Sequence, residues 1–193
     1  YSWIYDDKYR NSQIIQKKLE EQNKKYPSMK IISNYIKNIE LLWRKEEEEI
    51  LFEISKISKL KWTEKEIICY VIGFGRCFSD PLTMRLYENK IDFIDTLTHE
   101  LIHQIQTQNQ KTNREWVKYV RKKYKAESII TQNHIALQAI HYELYLKLFS
   151  KKRLKRDQDF SKKVGAIDYV RAWQIVKEEG YENIIKKFRE ATK

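Results

Sequence analysis

Two histidines, His99 and His103, stand four residues apart in the stretch "THELIHQ", and Glu100 follows the first of them. Positions i and i+4 share one face of a helix, so both imidazoles can converge on a single point. Zinc takes nitrogen ligands at ~2.0–2.1 Å in a tetrahedral shell, and two such histidines supply half of it. Glu100 turns off the bisector of the two rings yet stays within reach of a water at the ion. A glutamate there is placed to act as general base. The plainer alternative is a core helix carrying two surface or hydrogen-bonded histidines.

The histidine inventory favours the metal. The chain has four histidines, and all fall between positions 99 and 141. His134 and His141 lie on a later helical segment, where Glu127, Thr131, His134, Gln138, His141 and Tyr145 cluster within roughly 60–80° at 100° per residue. They form a polar stripe on a segment otherwise rich in Ile, Leu, Phe and Tyr; Glu143 points the opposite way. Two residues of this stripe are candidates for the third ligand. His134 and Glu127 differ in depth along the helix by about 10 Å, so only one can reach the ion. His134 is favoured because Gln138, at i+4, can hydrogen-bond a metal histidine, whereas Thr131 offers Glu127 only a shorter hydroxyl. His141 and Tyr145 are candidate donors to a developing oxyanion.

"HELIH", preceded by a β-hairpin with "LTMRLYE" as its edge strand, resembles a zincin metallopeptidase. The segment "ESIITQNHIALQAIHYEL" is similar to the metal-completing helix of gluzincin-like and minigluzincin-like peptidases. The resemblance covers about residues 66 to 149. It implies His99 and His103 as zinc ligands, Glu100 as the base, and an extended peptide substrate paired with the edge strand. The pattern departs at the completing helix, where gluzincins carry Glu followed four residues later by Asp. Here Glu127 is followed by Thr131 and His134 by Gln138. A third histidine six residues after the second, as in metzincins, is absent: that position is Asn109.

These residues need helices to hold them, and the composition supplies helices. Only four glycines and two prolines interrupt 193 residues. Helical spacing of apolar residues predicts helices over 9–25, ended by Pro27, and over 29–60, carrying Ile32, Tyr35, Ile36, Ile39, Leu42 and Trp43. Two β-rich runs follow, 67–72 and 82–87, separated by Gly73, Gly75, Ser79, Asp80 and Pro81; they predict an antiparallel pair. Further helices are predicted over 92–108, 113–123, 127–149 and 166–179, the last stopped by Gly180, with a short helix to about 189. Ile94, Leu97, Leu101 and Ile105 form an apolar stripe that anchors the "HELIH" helix, with Asp92 and Asp95 near its positive end. "SKKRLKRDQDFSKKVG" reads as a charged linker.

The fold expected is α+β and mainly helical: a small antiparallel sheet packed on a zincin-type active-site helix and a second metal-completing helix. Three regions are expected, a helical segment over 1–62, a catalytic core over 63–150, and a charged linker with C-terminal helices over 151–193.

The net charge of +11 and pI near 9.4 admit nucleic acid, anionic membrane or acidic substrates as partners. Lysine is scattered along the chain, which fits solvated helix faces and only weak, non-specific nucleic-acid binding. Cys69 and Cys77 make no disulfide framework and suit reduced thiols in a cytoplasmic protein. No apolar run approaches the ~20 residues of a membrane helix, and the first residues lack a signal-peptide layout. The chain begins at Tyr, which leaves secretion open. The function expected is a zinc metalloendopeptidase with one Zn²⁺ per chain. The alternatives are a basic helical nucleic-acid-binding protein with a structural zinc, and a proteolytically silent zincin-like scaffold for protein partners.

Overall fold

The computed structural model describes residues 3–193. It is 71% helical with one small mixed sheet, the mainly helical α+β class expected. Two compact units divide the chain, and each draws on separate stretches of sequence. One comprises residues up to Glu48 together with Glu64–Gln104; the other comprises Glu49–Thr63 together with Ile105–Lys193. Two of the three boundaries, at 48/49 and 104/105, fall inside long helices.

The first unit holds α1 (Trp3–Arg10), α2 (Gln13–Glu21), the larger part of α3 (Met29–Ser58), three strands and most of α4 (Lys90–Gln108). The single helix expected over 9–25 is two, because the backbone at Ser12 turns extended (ψ 120°) and restarts the helix. Asp6, 1% exposed, knits the unit together. Its carboxylate accepts from Arg10 Nη2 (2.9 Å), the Tyr26 hydroxyl (2.6 Å) and the Gly73 amide (3.0 Å). A buried carboxylate needs such partners to offset its desolvation.

The sheet differs from the antiparallel pair expected. Strands β1 (Tyr70–Ile72), β2 (Phe78–Ser79) and β3 (Leu82–Arg85) lie in the order β1-β3-β2. β3 runs parallel to β1 and antiparallel to β2, with Ser79 opposite Leu82 across the two-residue turn Asp80-Pro81. The hairpin partner of β3 is thus the short β2, which alternation in so brief a segment does not reveal. β3 is also the central strand rather than an edge: Thr83 is paired on both sides, Leu82 with β2 alone, and Met84 and Arg85 with β1 alone.

On α4 the predicted stripe is realised: Ile94, Leu97, Leu101 and Ile105 are all buried. Asn89 starts the helix by accepting from the Ile91 amide at 3.0 Å. Gln104 donates from its side chain to the carbonyl of Ser79, tying α4 to β2.

In the second unit α6 (Ile129–Leu148) packs against α5 (Gln110–Lys123), α7 (Lys151–Lys163), α8 (Ile167–Glu179) and α9 (Tyr181–Ala191). Ile135, Leu137, Ala139, Ile140 and Leu144 are completely buried, so α6 is covered on most of its circumference, as expected of a central helix. The end of α3 is fastened here too: Arg189 donates to the carbonyl of Ile57 (2.7 Å), and Lys147 reaches Glu53 (3.3 Å).

The stretch expected as a charged linker is the helix α7. Ser150 caps it by accepting from the Arg153 amide (3.2 Å), Leu154 is buried, and Lys155 pairs with Asp159 one turn on (2.9 Å). One buried leucine and a cap suffice to seat a helix whose other faces are solvated. No helix among the described residues is long and apolar enough to cross a membrane.

Candidate metal centre

Continuous helix through "THELIHQ" places His99 and His103 one turn apart on α4, their ring centroids 5.1 Å from each other. His134, the third candidate ligand, lies on α6 in the second unit. Three neutral imidazoles are a donor set suited to zinc. His99 and His134 are buried at 8% and 6% exposure, and His103 is half-buried.

His134 is prepared for the role by its own helix. Its Nδ1 lies 2.7 Å from the carbonyl oxygen of Ile130, one turn earlier. A carbonyl can only accept, so Nδ1 carries the proton and Nε2 keeps its lone pair. A second ring nitrogen held in this way sets the tautomer of a metal-binding histidine. Burial lowers the pKa of His134 despite the opposing effects of the Ile130 carbonyl and the Asp168 charge, which keeps the ring neutral. Tyr169 of α8 lies against it with ring centroids 4.2 Å apart.

Glu127 is placed elsewhere. It precedes the cap residue Ser128 instead of sitting within α6, and Arg171 grips its Oε1 from Nε (2.9 Å) and Nη2 (2.7 Å). Its supposed helper Thr131 bonds Asp168 Oδ1 at 3.1 Å. The Gln138 carbonyl oxygen, expected to support a metal histidine, has no hydrogen-bond partner among the described residues.

His141 is enclosed by its own unit. It is completely buried within the second unit, its ring centroid 4.4 Å from that of Tyr145 and 6.0 Å from that of Trp173. Tyr145 is equally enclosed. Side chains sealed among aromatic rings cannot donate to a bound substrate, so neither is retained as an oxyanion donor.

Glu100 is buried at 6% exposure, and among the described residues it accepts no hydrogen bond and forms no ion pair. Burial alone pushes its pKa up to about 7. A carboxyl poised there can both take and return a proton near neutral pH. Cys77 stands close enough for the Glu100 charge to raise its thiol pKa, although burial is the larger cause. Burial pushes the Cys69 thiol up to about 12. Both cysteines are free, and protonated thiols of this kind are poor nucleophiles.

Sequence reasoning missed the contribution of α8. Asp168, Tyr169 and Arg171 surround the start of α6, where they contact Thr131, His134 and Glu127 respectively. They are separated from the motif by a charged stretch with no recognisable spacing, and only folding brings them there. No family profile, curated protein or solved structure matches the chain.

Proposed function

We propose that the chain is a zinc-dependent metalloendopeptidase, with His99, His103 and His134 as the metal ligands and Glu100 as the general base. The observation that carries this reading is a buried carboxyl, Glu100, set beside two histidines one turn apart on the same helix. Structural zinc sites are closed by four protein ligands, whereas catalytic sites use three and keep a position open. The proposed set of His99, His103 and His134 is of the three-ligand kind.

Zinc, when bound, supplies Lewis acidity that polarises a carbonyl and eases the deprotonation of water. Glu100 takes the proton of the attacking water and delivers it to the departing amine nitrogen. Its low-dielectric surroundings keep its basicity matched to that exchange. The His134–Ile130 hydrogen bond holds one ligand ring in the tautomer that leaves Nε2 available. Docking of an extended peptide along the whole of Leu82–Arg85 is not carried over, because β2 already pairs Leu82 and Thr83 on one side and β1 pairs Thr83 to Arg85 on the other.

The test is digestion of a peptide library by the zinc-loaded chain, with the His99→Ala/His103→Ala double variant as control. Cleavage products absent from the control support the reading. A product profile identical to the control overturns it.

A further inference from the structure

The second unit carries an exposed aliphatic tip that the proposed chemistry does not use. Ile129 is 65% exposed, Ile130 48%, Val164 54% and Ile167 80%. They come from two segments, the start of α6 and the turn from α7 into α8. Asp168, next to Ile167, is hydrogen-bonded by the hydroxyls of Ser128 and Thr131, on either side of Ile129 and Ile130. The two segments are therefore held together. Gly165, at the apex of the turn with φ 68°, has no atom within 4 Å of where a Cβ would stand, so the turn projects into open space. Single exposed isoleucines are ordinary, but four large aliphatics on one tied tip are not.

The charges around this tip are uneven. Glu127 is engaged by Arg171, and Asp159 by Lys155 and Lys162. The Asp168 carboxylate accepts from the two hydroxyls and keeps its negative charge, one against the two lysines that follow. Lys125 and Lys163 are exposed, with no ion partner among the described residues. The rim of the tip is thus left with uncompensated positive charge, on a chain whose net charge is +11. Aliphatic side chains flanked by free lysines match the interface of an anionic bilayer, where the apolar groups enter the acyl boundary and the ammonium groups meet lipid phosphates. An acidic or apolar protein partner would ordinarily be met by aromatic anchors, and this tip has none.

We propose that residues 125–130 and 162–168 form a docking point for an anionic lipid surface. Docking is peripheral and independent of the metal centre. The test is co-sedimentation of the whole chain with phosphatidylcholine vesicles, with and without about three parts in ten phosphatidylserine. The expected result is at least a tenfold excess bound to the anionic vesicles, largely lost when salt is raised from ~0.1 to ~0.5 M. Ile129→Ser/Ile167→Ser should weaken binding roughly tenfold or more. Lys125→Gln/Lys163→Gln should weaken it roughly fivefold per lysine, on anionic vesicles only. Unchanged melting and zinc content separate these losses from misfolding. Because the lysine pair is solvent-exposed, it tests the idea even if the isoleucine pair unfolds. Equal binding to both vesicle types, or undiminished binding by both variants, overturns the proposal. So does a dimer abolished by the isoleucine variant, which makes the tip an interface between copies. A raised KM for peptide with vesicle binding intact overturns it in favour of a substrate subsite.

Discussion

Nδ1 of His134 donates to the carbonyl of Ile130 at 2.7 Å, a bond made entirely within α6. It leaves Nε2 as the only nitrogen of that ring able to bind a metal, whereas Glu127 spends its carboxylate on Arg171. His134→Ala should therefore lower zinc affinity by two or more orders of magnitude, and Glu127→Ala by less than about tenfold. Competition titration against a zinc chelator measures both. The reverse ranking would make the centre a His-His-Glu one.

Glu100→Gln should retain about one zinc per chain and the wild-type melting temperature, because no ligand is removed. Peptide hydrolysis should fall by ~10²–10⁴-fold through loss of the base. Metal analysis and a rate measurement on the same preparation separate the two effects. Undiminished turnover would remove Glu100 from the mechanism.

Gly73→Ala should destabilise the first unit. A Cβ at this position would lie 2.5 Å from Cε1 of Tyr26 and 3.0 Å from Cδ of Pro27. The ring is also held by its hydroxyl, which donates to Asp6 and accepts from the Gly73 amide. Overpacking of this kind costs about 1–3 kcal/mol. Thermal melts should shift down by several degrees, and an unchanged melt would show that Tyr26 gives way freely.

His141 should make stability depend on pH. Burial first, and the Arg153 charge second, depress its pKa from 6.5 to about 3. Asp157, 3.9 Å from Nδ1, is too far for a hydrogen bond that would oppose them. The unfolded chain binds a proton at this side chain near pH 6.5, and the folded chain does not. Its contribution is therefore intact above pH 6.5 and declines as pH falls, by up to about 1.4 kcal/mol per pH unit. Denaturation of His141→Phe beside wild type between pH 7 and 4 should show a shallower decline in the variant, and parallel curves would contradict the assignment.

Much of this protein is written in local periodicity. The "HELIH" helix, its apolar stripe and the pairing of His99 with His103 follow from 3.6-residue spacing, because residues one turn apart are neighbours whatever surrounds them. The long α3 and the central α6 were legible for the same reason, within a few residues at their ends. Helix α7 was not, since its single buried leucine is lost among charges that the fold leaves facing solvent.

What spacing could not settle is whatever depends on residues far apart in the chain. The stripe on α6 holds His134 and His141 in equivalent angular positions, yet one lies against Tyr169 and the other is sealed against Trp173. Arg171, which holds Glu127, and Tyr169, which lies against His134, both come from α8, about forty residues downstream. The strand order, too, waits on the tertiary structure: β3 finds its hairpin partner in two residues and its parallel partner across the sheet. Non-local contacts of this kind carry no periodic signature, because they are decided by the packing of complementary faces rather than by the backbone repeat.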